Sequence, residues 1–432
     1  MLNIRPYREV LSDRRAVAFS LAGFVARLPL SMTGIGIVLL VSLTTGSFGL
    51  AGLLTAAGTV TGAVVAPLWG RASDRVGQAR VLLTAVVINL LSVALLVTAI
   101  ELAWPLALSV AAAIGVGVGF SMAGSAVRAR WTLRLDGSPL LNTAFALEAM
   151  LDEVVFIIGP VLVTFLATAF YPALGISVSA IVGFIGAVAL AVQRSTQPQI
   201  RATPRDGRAG SFRLPWRVLI PVAIACAALG MVFGGMEVNV VAFAKEAGVV
   251  RYAGVILMSW AFGSLVAGAI AGAITWRASA AKRFRVGASL LAVSLLPLPF
   301  VGHHPVALAL LLMLSGMAIA PTLIASVAVT QSSVDQTRLT EALAWTSTGM
   351  AAGVAVGAAA VGHVIDSSGA AAGFVAVVIA GLLLTLSALF VRDHHSAVDS
   401  PTMDVTTAEL KAQLPGMSAV QSSHPQAGTP SR

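Results

Sequence analysis

The sequence predicts an all-α membrane protein with twelve transmembrane helices, arranged as two pseudo-symmetric six-helix bundles. Its 432 residues are 57% hydrophobic and only 10% charged, whereas a soluble chain carries roughly 25% charged residues. Several apolar segments exceed the roughly 18 residues that mark a membrane-spanning helix. The twelve segments cover residues 16–42, 48–69, 80–100, 105–127, 141–163, 172–193, 217–242, 252–275, 286–302, 306–330, 341–362 and 372–391.

The first segment and the single cysteine exclude other classes of protein. The segment 16–42 is too long for the core of a signal peptide and has no small-residue cleavage site, so we expect a retained helix. Cys226 is the only cysteine, so neither a disulfide framework nor a paired-thiolate metal site is expected. The chain has no G-x-x-x-x-G-K motif of an ATP-driven pump. We expect no cofactor, no bound metal and no enzymatic activity.

Membrane topology, rather than binding to nucleic acid, explains the net charge of +9. If the N-terminus and every second loop lie on one side, 24 of the 27 Lys and Arg residues fall on that side. Only Lys245 and Arg251 fall in the other loops, and Arg27 lies within a segment. Because basic residues gather in cytoplasmic loops, we expect a multi-pass protein of the cell membrane, surrounded by lipids, with both termini in the cytoplasm.

Weak internal repetition divides the segments into two halves. LNTAFAL at 141–147 aligns with LTEALAW at 339–345 at an offset of 198, which also places Gly159 on Gly357. Two facing bundles suit a transporter whose site lies near the middle of the membrane. The predicted units are an N-terminal bundle at 1–192, a cytoplasmic linker at 193–216, a C-terminal bundle at 217–392 and a disordered cytoplasmic tail at 393–432.

The connection between the second and third segments carries a motif, GRASDRVGQAR at 70–80. It resembles the loop signature of the major facilitator superfamily at Gly70, Asp74, Arg75 and Gly77, although three other positions depart from the pattern. The resemblance extends over the membrane part of the chain, about residues 14–392. It implies a secondary transporter, of the kind that exchanges drugs or other small molecules for protons.

A cytoplasmic gate is the role that the resemblance implies for Asp74 and Arg75. Glycines suit a short turn between helix ends. Asp74 can face a helix N-terminus, where the free N–H groups favour a negative charge. Asp74 can also pair with Arg128 or Arg130 at the end of the fourth segment. The alternative is that the motif only forms the turn and sets the topology.

Ionisable residues inside the segments are the candidate functional residues, since each costs about 2.5–3.5 kcal/mol to insert. Arg27 lies in the first segment, and Glu148, Asp152 and Glu153 lie in the fifth. The resemblance places both helices at a central cavity, so we predict an Arg27–Asp152 or Arg27–Glu153 ion pair. One arginine cannot neutralise three carboxylates, so at least one is expected to carry a coupling proton. The alternative is a static network in a wet cavity.

Two further features concern the substrate and the direction of transport. Glu237 and Asn239 lie in the seventh segment, and Glu237 or Glu148 could be the counter-charge of a lipophilic, cationic substrate. The pair Gly159-Pro160 resembles part of the fifth-helix signature of exporters in this superfamily, and proline permits a bend.

The sequence therefore predicts a monomeric, proton-coupled exporter of a small lipophilic molecule that works by alternating access. An uptake permease for a small metabolite is the alternative. A membrane sensor or scaffold without transport activity is the more remote one.

Overall fold

The computed structural model describes residues 5–198 and 216–391, except 121, 139, 275, 277 and 335–338. Most of the predicted linker and the whole predicted tail lie outside the described residues. The helices of the N-terminal half are α1 (Arg5–Val10), α2 (Arg14–Arg27), α3 (Pro29–Thr44), α4 (Phe48–Val76), α5 (Gln78–Glu101), α6 (Leu106–Val118), α7 (Ala123–Arg134), α8 (Leu140–Ala169) and α9 (Pro172–Val192). Those of the C-terminal half are α10 (Trp216–Glu246), α11 (Ala253–Ala273), α12 (Ala280–Leu295), α13 (Pro305–Gly316), α14 (Ile319–Ser333) and α15 (Leu339–Leu389).

These helices form the twelve predicted spans. Eleven helical stretches are long and apolar enough to cross a membrane. The pairs α2–α3, α6–α7 and α13–α14 are interrupted single spans. Helix α15 contains two spans that meet at Gly369, whose φ of 79° is a conformation that glycine tolerates. Within the described ranges there is no β-strand, and the predicted all-α membrane fold is confirmed.

The motif at 70–80 is helical, and the expectation of a loop there was wrong. Helix α4 continues to Val76 and α5 begins at Gln78, so Gly77 alone joins the two helices. The φ of Gly77 is 91°, which explains why a glycine occupies the junction. Arg71, Asp74 and Arg75 therefore lie on the last turns of α4, and Arg80 lies on the first turn of α5.

The fourth and tenth spans break at equivalent positions. The C-cap of α6 is Gly119 and the C-cap of α13 is Met317. These residues are 198 positions apart, which is the offset of the sequence repeat. The two halves therefore share an interruption that the hydropathy pattern does not reveal.

Side chains of neighbouring spans supply partners for the carbonyl groups that the break in the fourth span exposes. The last four carbonyls of a helix have no partner within it. Trp69 donates from Nε1 to the Val118 carbonyl at 2.7 Å. Asn89 donates from Nδ2 to the Val116 carbonyl at 3.1 Å. The backbone N–H groups of Gly119 and Phe120 bind the other two carbonyls, so each of the last four carbonyls of α6 has a partner.

The two halves touch on the side away from the arginine-rich loops. Helix α4 packs along α15, and α8 packs along α11. A Cβ atom on Gly52 would overlap the Ala358 carbonyl, and one on Gly254 would overlap the Pro160 carbonyl. Small residues allow such close approach of helices in a membrane.

Asp366 joins the halves on this side by capping α4 from α15. Its carboxylate accepts hydrogen bonds from Ser47 Oγ at 2.7 Å, Phe48 N at 2.6 Å and Gly49 N at 2.8 Å. The free N–H groups at a helix N-terminus favour an anion. Because α4 and α15 belong to different halves, this Asp366 cap stabilises the closed contact between them.

Candidate functional site

Arg27 joins the first and fifth spans through two carboxylates. Its guanidinium donates from Nη1 to Asp152 at 2.7 Å and from Nη2 to Glu148 at 2.5 Å. A third hydrogen bond, from Nε to the Gly23 carbonyl, fixes the side chain along α2. The predicted Arg27–Asp152 ion pair is therefore present, whereas Glu148 takes the place that was predicted for Glu153.

Glu148 is fully buried and receives three hydrogen bonds. Besides Arg27, Ser20 Oγ donates to it at 2.5 Å and Trp131 Nε1 donates at 2.8 Å. The Trp131 ring packs edge-on against Phe19 at 4.9 Å, which holds the indole in place. These three hydrogen bonds offset the cost of burying the polar side chain.

Arg128 is a second cation in this cluster. It donates from Nη2 to Asp152 at 2.7 Å, so Asp152 lies between a buried and an exposed arginine. Two guanidinium groups thus face two carboxylates. The expectation of one arginine against three acids was therefore incomplete, and neither Glu148 nor Asp152 is left without a positive partner.

The predicted contacts of Asp74 with Arg128 or Arg130 are absent from this conformation. Arg128 pairs with Asp152 instead, and the buried Arg130 donates to Gln78 Oε1 at 3.0 Å. Asp74 is exposed and has no ion pair among the residues that the structure describes. In this conformation the two arginines of α7 bond to residues of α8 and α5, and a pairing of either with Asp74 in another conformation stays a prediction.

The remaining motif residues lie at the end of α4. Arg75 is exposed near Asp74, and Gly70 packs beside the Met122 side chain at the break in the fourth span. At the end of α4 these residues could form a contact in one conformation and lose it in another. Their role as a cytoplasmic gate stays a prediction.

Glu153 lies on a different face of α8 from the cluster. It is half-buried and, over the described ranges, it makes no hydrogen bond and no ion pair. Seven residues separate it from Pro160, so both project from nearly the same side of the helix. Pro160 contacts Gly254 of the other half. Glu153 is therefore directed toward the space between the halves, two turns from their closed contact.

Glu237 and Asn239 of α10 have different surroundings. The Glu237 carboxylate lies beside Gly34 of α3, with Oε2 3.0 Å from the position of a Cβ atom there. Asn239 is buried against Gly373 of α15, and its amide has no hydrogen-bond partner among the described residues. Only Glu237 lies at the contact between the halves, since two residues along a helix are turned about 200° apart.

Gly159 and Pro160 serve close packing in this structure. A Cβ atom on Gly159 would overlap Ser31 of α3, whose hydroxyl donates to the Val155 carbonyl at 2.7 Å. Helix α8 runs through Pro160 as one element from Leu140 to Ala169. The pair thus lets α8 approach α3 on one face and α11 on another.

A cavity with about 120 Å³ of water-accessible volume lies within the N-terminal half. Arg27, Arg128 and Asp152 line one part of it, and Pro29 and Gly119 bring the breaks of the first and fourth spans to its wall. The charged cluster therefore borders a cavity whose lining residues all belong to the N-terminal half.

Sequence reasoning missed Ser20 and Trp131 as partners of Glu148. Ser20 precedes Arg27 by seven residues and so shares its face of α2, a spacing that could have revealed it. Trp131 lies 17 residues before Glu148 on another helix, and no local pattern connects the two.

Two groups of six spans, with a charged cluster in the first and unpaired carboxylates between them, define a membrane transporter rather than an enzyme. The family model described as Major Facilitator Superfamily matches residues 19–304 and 253–417. The chain therefore belongs to the major facilitator superfamily. A comparison with curated proteins finds no match.

Solved structures of transporters share the fold at low sequence identity. A mutant of the nucleoside transporter NupG is 13% identical with a TM-score of 0.71, covering 87% of this chain and 98% of that one. An auto-inhibited POT family peptide transporter is 12% identical with a TM-score of 0.66, covering 88% and 97%. A bacterial homologue of the iron transporter ferroportin, in an inward-facing state, is 12% identical with a TM-score of 0.67, covering 87% and 98%.

Proposed function

We propose that the chain is a proton-coupled exporter that moves a small lipophilic molecule across the cell membrane by alternating access. The observation that carries this proposal is Glu153, an unpaired carboxylate on the face of α8 that is directed toward the other half. An ionisable residue within a membrane span is expensive and is a functional candidate by default. Because Glu153 makes no ion pair with any residue that the structure describes, it is the acid that we propose to take up and release a proton during the cycle.

The charged cluster takes a structural part in this proposal. Asp152 and Glu148 share Arg27 and Arg128, so their charges are already balanced. The cluster holds α2, α7 and α8 together while Glu153 changes its protonation state. The proposed proton site is thus Glu153, one of the three carboxylates of the fifth segment, and not its neighbour Asp152.

The proposed orientation places the arginine-rich side and both termini in the cytoplasm. The halves touch on the opposite side, so the conformation corresponds to an inward-facing state. The fold neighbour related to ferroportin is described as inward-facing, which is consistent with this orientation. In the outward-facing state the motif residues Gly70 to Gly77 would form the cytoplasmic contact. We propose that one chain suffices, because each half supplies one side of the site.

Export and a lipophilic substrate rest on two observations. The Gly159-Pro160 pair matches part of the exporter signature, and nine of the twelve methionines lie in the predicted segments. Methionine is adaptable and suits a site for varied apolar compounds. All other features described above would also fit an uptake permease, so the direction of transport needs a separate experiment.

Flux measurements in proteoliposomes test proton coupling. Purified protein is reconstituted with a pH indicator inside the vesicles, and a panel of lipophilic compounds is added under an imposed pH gradient. We expect substrate-driven proton movement in the wild type and in Glu9→Gln, an exposed control. Glu153→Gln should fold normally and lose the proton movement. Retained coupling in Glu153→Gln, together with its loss in Asp152→Asn, would transfer the proton site to Asp152.

Growth of cells on toxic compounds tests the direction. Resistance on expression supports export, and greater sensitivity supports uptake. Absence of flux for every compound, with folded protein in the vesicles, would instead favour a sensor or scaffold.

A further inference from the structure

Glu237 is a carboxylate in the interior of α10. No hydrogen bond or ion pair reaches it from any residue in the described ranges. Its Oε2 lies beside Gly34 of α3, where the missing side chain leaves room for the carboxylate, and the Thr55 methyl group lies close to the same position. The acid of α10 therefore lies against α3 and α4 of the other half.

The cation nearest along the helix is engaged elsewhere. Lys245 lies two turns beyond Glu237 on α10, and its Nζ donates to the Ser42 carbonyl at 2.7 Å. The same ammonium group lies over the Phe48 ring, 5.4 Å from its centre. Lys245 is thus held at the outer end of α10 and does not neutralise Glu237.

Aromatic rings accompany this carboxylate. Phe233 lies one turn before Glu237 and on the same side of α10, because four residues advance a helix by about 400°. The Phe233 ring contacts the Trp260 ring of α11, with centres 4.9 Å apart. Trp260 is 5% exposed, and its indole N–H has no hydrogen-bond partner among the described residues. Faces of aromatic rings attract organic cations, and tryptophan does so most strongly.

We infer that Glu237, Phe233 and Trp260 form a subsite for the positively charged nitrogen of an amine or quaternary ammonium substrate. This inference rests on the proposed transport function and adds the chemical class of the substrate. The carboxylate supplies the counter-charge, and the ring pair supplies an apolar surface that tolerates a poorly hydrated cation. Glu153, on the opposite half, is left for the proton.

A matched pair of probes tests the subsite by binding rather than by transport. One is a dansyl-labelled alkyl trimethylammonium ion, and the other replaces the trimethylammonium group by a neutral tert-butyl group of the same shape. Binding is measured by dansyl fluorescence with wild-type protein in lipid nanodiscs. We expect the ammonium probe to bind about tenfold more tightly than the neutral probe, since a desolvated cation gains both ion-pair and cation–π attraction.

Variants separate the charge from the rings. Glu237→Gln should remove the preference for the ammonium probe and leave binding of the neutral probe unchanged. Trp260→Leu should reduce the preference by about threefold. Glu101→Gln, which removes an exposed carboxylate at the end of α5, is the control and should keep the full preference.

Three outcomes would overturn the inference. They are equal binding of the two probes by the wild type, an unchanged preference in Glu237→Gln, and the absence of binding of either probe. None of them bears on proton coupling, which the flux assay with Glu153→Gln decides. If that assay fails while the ammonium preference stands, the subsite is supported and the proposed coupling is not.

Discussion

Replacing Arg27 by methionine would test the buried cluster most directly. Arg27 is 5% exposed and its partner Glu148 is 0% exposed, so Arg27→Met would leave a buried carboxylate with only the neutral donors Ser20 and Trp131. Breaking a buried ion pair by removing one partner costs about 3–5 kcal/mol. At about 1.4 kcal/mol per factor of ten, the folding equilibrium constant should fall by roughly two to four orders of magnitude.

Two companion variants make this prediction specific. Arg128→Met removes the exposed arginine of the cluster, whose side chain is 45% exposed, and should cost no more than about 1 kcal/mol. Arg27→Met combined with Glu148→Leu removes both buried charges and should recover most of the lost stability. Equilibrium unfolding in mixed micelles of dodecylmaltoside and SDS measures all three. A cost of less than about 1 kcal/mol for Arg27→Met alone would refute the assignment of a buried ion pair.

Three further changes have defined outcomes. Asp366→Ala removes the cap on α4 and should favour separation of the start of α4 from the Gly369 kink of α15 by about 1–2 kcal/mol. Longer distances between spin labels at these two places would show the separation, and unchanged distances would argue against the Asp366 cap. A hydrogen bond from Arg134 lowers the pKa of Asp13 below its usual value of 3.8. The ion pair therefore contributes its full stability at pH values above 3.8, where Asp13 is charged in both the folded and the unfolded chain. This contribution is lost as the pH falls through the lowered pKa of the folded state. The stability difference between wild type and Asp13→Asn, below about 1 kcal/mol, should therefore be present at neutral pH and vanish once the pH has fallen below the lowered pKa of Asp13, in unfolding measured across pH. A difference that persists when Asp13 is protonated would contradict the pair. Gly159→Val should lower the free energy of unfolding by about 1–3 kcal/mol, because the new side chain overlaps Ser31. Adding Ser31→Gly should restore part of this free energy in the same unfolding assay. An unchanged free energy of unfolding in Gly159→Val would contradict the close contact of α8 with α3.

Hydropathy and charge asymmetry predicted the twelve spans because burial in lipid is a property of composition over 20 residues. The helix ends were less predictable. Helix α12 begins at Ala280, six residues before the predicted start at 286, since Lys282, Arg283 and Arg285 continue the helix beyond its apolar part. Long basic side chains can extend toward water while their backbone stays helical.

Partners within the site were only partly predictable. The resemblance, which places the first and fifth spans at one cavity, predicted Arg27 with Asp152, but the choice of Glu148 over Glu153 depends on how α8 is rotated. The helices α2 and α7 fix that rotation through Ser20 and Trp131, and neither contact has a local sequence signal. The Asp366 cap was missed for the same reason, because an acid at the end of an apolar segment also fits a plain solvent-exposed turn.

The break in the fourth span has a consequence for how the chain enters the bilayer. Its exposed carbonyls are bound by Trp69 and Asn89, which belong to the second and third spans. A nascent chain is delivered from its N-terminus, so both donors reach the membrane before the carbonyls that need them. When the interrupted span inserts, the two side chains that bind its carbonyls are already in the membrane. The order of synthesis thereby helps the bilayer to tolerate a broken helix.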